Sequence, residues 1–174
     1  MRFRLRDSIS LASGSHNEDR FGQHNAAVWV IDGATDLLEK PLLPGPSDAA
    51  WIADALNLAF TRLAAQPDMT LAAVLHAATA EVRDSFEKAA SRPFAHRHEQ
   101  PSAAGIFARI SDGTLEALSL GDCTLLSLPV DDGPPLDLFR AAAKREADEE
   151  ARAAARALND EGNNQQSRRA SVRN

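Results

Sequence analysis

The order of apolar and polar residues predicts strands, then two helices, then strands again. Loose alternation over residues 2–12 predicts an early strand, and apolar positions around a polar stretch predict a hairpin over about residues 18–32. Apolar residues recur at helical spacing over residues 48–65 and again over about 71–90. Strand-like sequence returns over about 103–128. Amphipathic helices need a partner for their apolar stripes, so this order predicts an α+β layered fold with helices packed on antiparallel sheet.

Local signals mark where several of these elements begin and turn. Ser47 is a natural N-cap for the first helix, and Asp48 suits its first turn because the helix dipole favours negative charge there. Asp112-Gly113 is a turn of the kind that closes a tight hairpin. The two strands on either side of that turn are therefore predicted to pair with each other.

Length and composition divide the chain into one folded domain and a charged C-terminal part. With 174 residues the chain has room for a single domain, which we expect over residues 1–130. Residues 131–158 are rich in alanine and charged residues, which predicts a charged helix. Residues 159–174 are almost wholly polar, which predicts a disordered tail.

The overall charge and the cysteine content exclude some classes of function. The net charge of −6 argues against a general nucleic-acid binder, which usually shows a basic face. A single cysteine cannot form an internal disulfide, so a reducing compartment fits best. No stretch has the roughly 18 apolar residues of a membrane span, and no signal peptide is visible at the N-terminus. These features predict a soluble, cytoplasmic protein.

Acidic residues gather at the open end of the predicted hairpin. If its turn is centred near Asn25, Glu18 lies opposite Asp32, with Cβ atoms roughly 4.5–5.5 Å apart. Like charges at that distance repel, and a hard divalent cation such as Mg²⁺ or Mn²⁺ would relieve the repulsion. Gly33, which lacks a Cβ, would let its backbone approach such a ligand. Solvated acids on a surface hairpin remain the alternative.

Four short motifs in this order resemble the PPM family of metal-dependent protein phosphatases, the type 2C-like serine/threonine phosphatases. The motifs are spread over residues 14–128, and Cys123 stands where the last one usually has serine. They are Asn17-Glu18-Asp19, Val30-Ile31-Asp32-Gly33-Ala34-Thr35-Asp36, Pro101-Ser102-Ala103-Ala104 and Leu118-Ser119-Leu120-Gly121-Asp122-Cys123. The resemblance implies a four-layer αββα sandwich with a Mn²⁺ or Mg²⁺ cluster at one end of the sheets. It also implies hydrolysis of phosphoserine and phosphothreonine through a metal-activated water.

The resemblance also implies roles for individual residues. Asp32 would bridge two metal ions, and Gly33 would offer its backbone carbonyl to one of them. Glu18 would bind a metal directly or through water, so Asp32 and Glu18 are the expected catalytic residues. Asp19 would support a water ligand, and Asp122 would lie near an additional, weaker metal position.

The sequence departs from the family at the position that grips the substrate phosphate. The family commonly carries an arginine three residues before the Asn-Glu-Asp motif, and here that position is Gly14. His16 and Arg20 are the nearest replacements, and Arg4 or Arg6 could also reach the phosphate. Nothing in the sequence selects among the four.

The later metal-binding aspartates of the family have no counterpart after Leu128, so we expect a sandwich that is incomplete on its C-terminal side. The chain could be a fragment, a degenerate non-catalytic member, or a protein whose tail replaces the lost half. The leading hypothesis is a metal-dependent phosphatase; the alternative is a non-catalytic phosphatase-like interaction or regulatory module. A phosphoprotein substrate is the expected partner, with no nucleic acid and no membrane, and an exposed sheet edge predicts a homodimer.

Overall fold

The computed structural model describes residues 3–12, 14–34, 41–66, 68–94, 99–128 and 136–137. The chain divides into two compact units, Met1–Leu138 and Phe139–Asn174, and all the described residues lie in the first. The predicted polar tail and most of the predicted charged helix therefore lie outside the described residues. So do residues 35–36, the end of the second phosphatase-like motif.

The described elements follow the predicted order of strands, two helices and strands. The two helices agree with their predicted spans to within two residues at each end. The elements are β1 Asp19–His24, β2 Ala27–Gly33, α1 Asp48–Leu63, α2 Leu71–Ala89, β3 Ala103–Ser111, β4 Thr114–Leu120, β5 Leu126–Ser127 and β6 Leu136–Asp137. The β6 residues pair with β5, although the sequence placed them in the charged helix.

Strands β1 to β4 form one antiparallel sheet in the order β1-β2-β3-β4. The hairpin predicted over residues 18–32 is confirmed, but its register was wrong by one residue. The turn consists of Asn25 and Ala26, and Asn25 adopts a positive φ of 51°. Because this turn has two residues, Asp19 and not Glu18 lies opposite Asp32.

The early strand predicted over residues 2–12 is wrong for the described residues 3–12, which form no strand. Its alternating apolar residues do not face a core, since Ile9 is 81% exposed and Leu11 is 74% exposed. Hydrogen bonds to the Gln23 side chain of β1, and not strand pairing, attach this segment to the sheet. The Gln23 side chain accepts a hydrogen bond from the Leu5 backbone N–H at 3.2 Å and donates one to the Phe3 carbonyl at 2.8 Å.

The first helix begins at the cap that the sequence predicted, Ser47, and the second helix is capped by Thr70. The Ser47 hydroxyl accepts a hydrogen bond from the Ala50 N–H at 3.0 Å at the start of α1. Asp48 does more than complement the helix dipole, because its carboxylate is buried. It accepts hydrogen bonds from the backbone N–H groups of Leu42 at 2.9 Å and Leu43 at 2.8 Å. The loop before α1 is therefore tied to the helix N-terminus.

The core lies between the sheet and the two helices. Alternate residues of β2 point towards the helices, and Trp29 stacks on Phe107 of β3 with ring centroids 5.7 Å apart. Phe60 of α1 packs on the same Phe107 ring at 4.9 Å. The other sheet face leaves Phe21 41% exposed and Val30 50% exposed. The described residues thus form two layers, which agrees with the predicted α+β class; the four-layer sandwich is not confirmed.

Within the described part of the chain, neither helix combines the length and the apolar character needed to cross a bilayer.

Candidate functional site

The acidic end of the β1–β2 hairpin lies on the sheet face that the helices do not cover. Asp19 and Asp32 are directly opposed in the ladder, so their side chains leave the sheet on the same side. Asn17 stabilises the start of β1, because its side-chain oxygen Oδ1 accepts a hydrogen bond from the Asp19 backbone N–H at 2.9 Å. The Asn17 amide also donates to the Ser10 hydroxyl at 2.8 Å. The Asn-Glu-Asp motif therefore has a clear structural role in the hairpin.

Gly33 docks the end of the hairpin against the first turn of α1. Its N–H donates a hydrogen bond to the Glu18 carbonyl at 3.1 Å, which extends the pairing by one residue. A Cβ at this position would lie 2.6 Å from the Ala49 carbonyl oxygen and 2.7 Å from that of Glu18. Close backbone packing therefore requires glycine here. The metal-binding role that the resemblance implies for the Gly33 carbonyl stays a prediction.

The Gly121-Asp122 turn brings a third acidic residue to the same place. Gly121 adopts a φ of +82°, which is strained for any other residue, and the chain turns there after β4. A Cβ on Gly121 would lie 2.5 Å from the Cβ of Ala104. Ala104 is the residue of β3 that lies opposite Asp32, so the turn passes close to the acidic pair. Small residues at both positions make this approach possible.

The carboxylates are close enough to perturb one another. Partial burial of Asp32 raises its pKa above the ordinary value, and the negative charges of Asp19 and Asp122 raise it further. A hydrogen bond shared with Asp19 and the charge of Glu18 act in the same direction. The structure thus brings together the four carboxyl groups that the sequence analysis singled out.

Cys123 lies beside these carboxylates, and its surroundings disfavour the thiolate that a nucleophile needs. Burial raises the pKa of the Cys123 thiol, and the nearby charges of Asp32, Asp122 and Asp19 raise it further. Because the thiolate is the reactive form, these neighbours keep the sulfur protonated and unreactive.

The acidic cluster has the right donor chemistry for a hard cation but not a closed set of ligands. Carboxylate oxygens are the ligands that Mg²⁺ and Mn²⁺ prefer, and the pKa of Asp32 is raised first by partial burial and then by the neighbouring negative charges. Among the described residues, however, no three His, Cys, Asp or Glu side chains form a group that could hold a metal ion. The described side chains alone therefore do not form a metal site, and a cation bound here would need further ligands from water or from a bound phosphate.

Arg20 stabilises the hairpin and its side chain does not point towards the Asp32 carboxylate. Its guanidinium forms a two-point ion pair with Asp54 of α1, with N–O distances of 2.5 Å and 2.9 Å. It also donates hydrogen bonds to the backbone carbonyls of Asn17 at 3.0 Å and Asp19 at 2.7 Å. The hydrogen bond that Arg20 donates to the Asp54 carboxylate is the main cause that raises the pKa of Arg20. Arg20 lies in register on the helix-facing side, away from the Asp32 side chain.

Arg4 and Arg6 lie in the same groove as the aspartates. The groove has a volume of about 670 Å³, and Asp19, Asp32 and Cys123 also line it. Both arginines belong to the N-terminal segment, which runs along the outer face of the sheet. His16 is exposed just before the Asn-Glu-Asp motif and does not line this groove. Arg20 also lines the groove, but its guanidinium is already paired with Asp54, so the tertiary structure favours Arg4 and Arg6 for binding an anion.

Comparisons with known proteins point to a phosphatase fold. No protein-family model matches the chain, and no curated protein matches it in sequence. Among solved structures it is similar to the serine/threonine phosphatase PstP/Ppp of Mycobacterium tuberculosis, with a TM-score of 0.53 and 15% identity. The match covers 78% of this chain and 52% of that chain, so it spans about half of the phosphatase. At this identity the likeness concerns the fold.

Proposed function

We propose that this chain is a phosphatase-type domain that binds and hydrolyses phosphoserine or phosphothreonine in the groove on the outer sheet face, with a divalent cation at the carboxylates. One observation carries the proposal. The groove combines Asp19 and Asp32 at the hairpin end with Arg4 and Arg6 along the N-terminal segment. Carboxylates that attract a cation and arginines that attract a phosphate are thus placed within one site. The similarity of fold to a serine/threonine phosphatase supports the same reaction class.

The carboxylates would hold Mn²⁺ or Mg²⁺. Asp32 would be the central ligand, because it lies opposite Asp19 in the hairpin and beside the strand that the Gly121-Asp122 turn approaches. When bound, such a cation lowers the pKa of a coordinated water and neutralises charge on the phosphoryl oxygens. Gly33 brings its backbone to the same end of the sheet, where its carbonyl is a further candidate ligand.

The arginines would orient the phosphate group. A guanidinium keeps its charge at every physiological pH and offers two parallel N–H donors to a phosphate. Arg4 and Arg6 are exposed, so an entering phosphoprotein segment can reach them without displacing a buried ion pair. Arg20 would act indirectly, because its ion pair with Asp54 holds the hairpin that carries Asp19.

A second candidate is a non-catalytic phosphate-binding or regulatory module with the same fold. It is favoured by the lack of a three-ligand group among the described residues. In this case the groove would bind phosphorylated segments without hydrolysing them.

A second sheet in the same domain and pairing with a second copy of the chain also belong to this proposal. A second sheet that packs on the outer face beyond the hairpin end, and leaves the end with Asp19 and Asp32 open, would produce the four-layer αββα arrangement. β4 lies at one edge of the described sheet, and an open edge can pair with the same edge of a second copy. A homodimer through this edge is therefore part of the proposal, as is a cytoplasmic location.

Calorimetric titration of the whole chain with Mn²⁺ tests the metal site. We expect micromolar affinity for the unmodified protein, no measurable binding for Asp32→Ala, and unchanged binding for Asp112→Ala. Asp112 is an exposed aspartate in the β3–β4 turn and provides the matched control. Equal Mn²⁺ affinity in the two variants would contradict a site at Asp32.

Phosphate release from a phosphoserine peptide then separates the two candidates. Release that requires Mn²⁺ and is lost in Asp32→Ala supports the phosphatase. Peptide binding without release, weakened when Arg4 and Arg6 are both changed to Gln, supports the binding module. Absence of both binding and release would contradict a phosphate-binding function altogether.

A further inference from the structure

A second concave site lies on the opposite side of the sheet, between the sheet and the helices. α1 packs closely on β1 and β2, whereas α2 contacts β3 and β4 more sparsely. The space left under α2 is a cavity of about 390 Å³. Ile31 of β2, Phe60 of α1 and Phe107 of β3 line it, and each is at most 5% exposed. The cavity is distinct from the groove that carries the aspartates and arginines.

The lining of this cavity is apolar apart from a few polar groups at its rim. Trp51 and Phe86 form one wall, with their rings in edge-to-face contact at 6.5 Å. Thr79 also lines the cavity, but its hydroxyl already donates to backbone carbonyls of its own helix, those of Leu75 at 3.0 Å and His76 at 2.9 Å. Pockets of about 300–1,000 Å³ with such a lining are typical of small-molecule sites.

Arg83 is the charged residue in the described lining of the cavity. Among the described lining residues no other is charged, and none is acidic. Arg83 is exposed on α2, and no other described residue forms an ion pair with it. A positive charge at the mouth of an apolar cavity, in a chain whose net charge is −6, is complementary to an anionic group on an apolar molecule.

We propose that this cavity binds a small amphiphile whose apolar chain fills the space under α2 and whose single anionic group pairs with Arg83. The volume sets the size of the ligand. An apolar cavity of about 150 Å³ holds one benzene molecule, so about 390 Å³ accommodates roughly ten to fifteen carbon atoms. Filling the cavity removes apolar surface from water, which drives binding, and the guanidinium selects a carboxylate or similar head group.

Calorimetry with two probes of the same chain length tests this site on the full protein. Decanoate supplies the anionic head, and 1-decanol supplies a neutral one. We expect both to bind, decanoate about tenfold more tightly because of its charge-assisted hydrogen bond to Arg83. Binding should also raise the melting temperature and change the tryptophan emission, since Trp51 lines the cavity. If neither probe binds the unmodified protein, the proposal is wrong.

Two variants of the protein separate the contribution of the ligand's head group to binding from that of its alkyl chain. Arg83→Gln should weaken decanoate about tenfold and leave 1-decanol unchanged. Lys88→Gln is the matched control, because Lys88 is exposed on the same helix, does not line the cavity, and should leave both affinities unchanged. If Arg83→Gln leaves decanoate affinity unchanged, the anionic pairing is wrong.

Thr79→Phe tests the cavity itself by placing a ring in it. This variant should weaken both probes by tenfold or more. Thr61→Phe is its control, since the Thr61 hydroxyl makes the same kind of hydrogen bond, to the Asn57 carbonyl of α1, but does not line the cavity. Unchanged affinities in a folded Thr79→Phe protein would overturn the proposed location.

Discussion

Asp32 is the residue on which the candidate site depends most, because partial burial and the charges of Asp19, Asp122 and Glu18 all raise its pKa. A raised pKa in the folded state means that the folded protein binds the proton more tightly than the unfolded chain does. The folded state therefore loses stability as the pH rises from the unfolded value near 4 through the folded pKa. At neutral pH the charge on Asp32 opposes folding, unless a cation is bound.

The first prediction concerns this repulsion. Asp32→Asn should stabilise the metal-free protein at pH 7 by about 0.5 kcal/mol, a modest gain because solvent screens exposed charges. The gain should disappear near pH 3, where the native carboxyl is protonated. Urea unfolding at the two pH values measures both effects. Asp112→Asn, at an exposed turn position, is the control and should leave stability at pH 7 unchanged. A loss of stability at pH 7 in Asp32→Asn would refute the repulsion.

The second prediction concerns Gly33, whose missing side chain holds the hairpin end against α1. Gly33→Ala should destabilise the domain by about 1–3 kcal/mol, because the new Cβ meets two backbone carbonyl oxygens that cannot move independently. Gly14→Ala provides the control, since a Cβ there has nothing within 4 Å and should change stability by no more than about 0.5 kcal/mol. Equal thermal denaturation midpoints of the two variants would contradict the close packing.

At the scale of elements, the way each helix is anchored decides how well the sheet is covered. α1 is anchored through Ser47, through the buried Asp48 and through the ion pair between Arg20 and Asp54. α2 has the Thr70 cap and an exposed ion pair between Arg62 of α1 and Glu81. Exposed pairs contribute little to stability, and Asp54 is exposed too, so the buried Asp48 is the main difference between the two anchors and makes α1 the more firmly held helix. This difference agrees with the cavity that lies beneath α2.

The third prediction tests the anchor of α1. Asp48→Ala should cost about 2–4 kcal/mol, because it leaves two buried backbone N–H groups, those of Leu42 and Leu43, without these acceptors. Asp84→Ala, at an exposed position of α2, should cost no more than about 0.5 kcal/mol. Chemical unfolding gives both values. Similar costs in the two variants would mean that Asp48 serves only the helix dipole.

At the scale of the whole molecule, the described sheet presents an outer face and an edge to solvent. The outer face exposes Phe21 and Val30, and the β4 edge exposes Leu115, which is 44% accessible. Isolated exposed apolar residues are common on proteins, but an open strand edge is a known route to self-association. The dimer that the sequence suggested therefore remains a prediction with a defined location.

The fourth prediction addresses that dimer. Sedimentation equilibrium of the whole chain should give about twice the monomer mass at micromolar concentration. Leu115→Lys should shift it to the monomer, because a charge on the edge strand disfavours pairing with a second copy. Thr61→Lys, on an exposed position of α1, is the control and should leave the mass unchanged. A monomeric unmodified protein would contradict association through β4.

The sequence by itself determined the local elements of this protein. Helical spacing and the Ser47 cap located α1, and the Asp112-Gly113 turn located the β3–β4 hairpin. These features depend on neighbouring residues only, so local pattern suffices to predict them. The same locality explains the failure over residues 3–12, where alternation predicted a strand but none of the described strands pairs with the segment.

Only the tertiary structure decided which of these residues act together. A two-residue turn at Asn25 placed Asp19, not Glu18, opposite Asp32, and a difference of one residue in register changes the face of the sheet. The small residues Ala104 and Gly121 let the Asp122 turn approach the pair. Arg4 lies in the same groove as Asp19 and Asp32, because the N-terminal segment contacts a distant part of the chain. Such contacts depend on packing between elements, which residue spacing along the sequence does not specify.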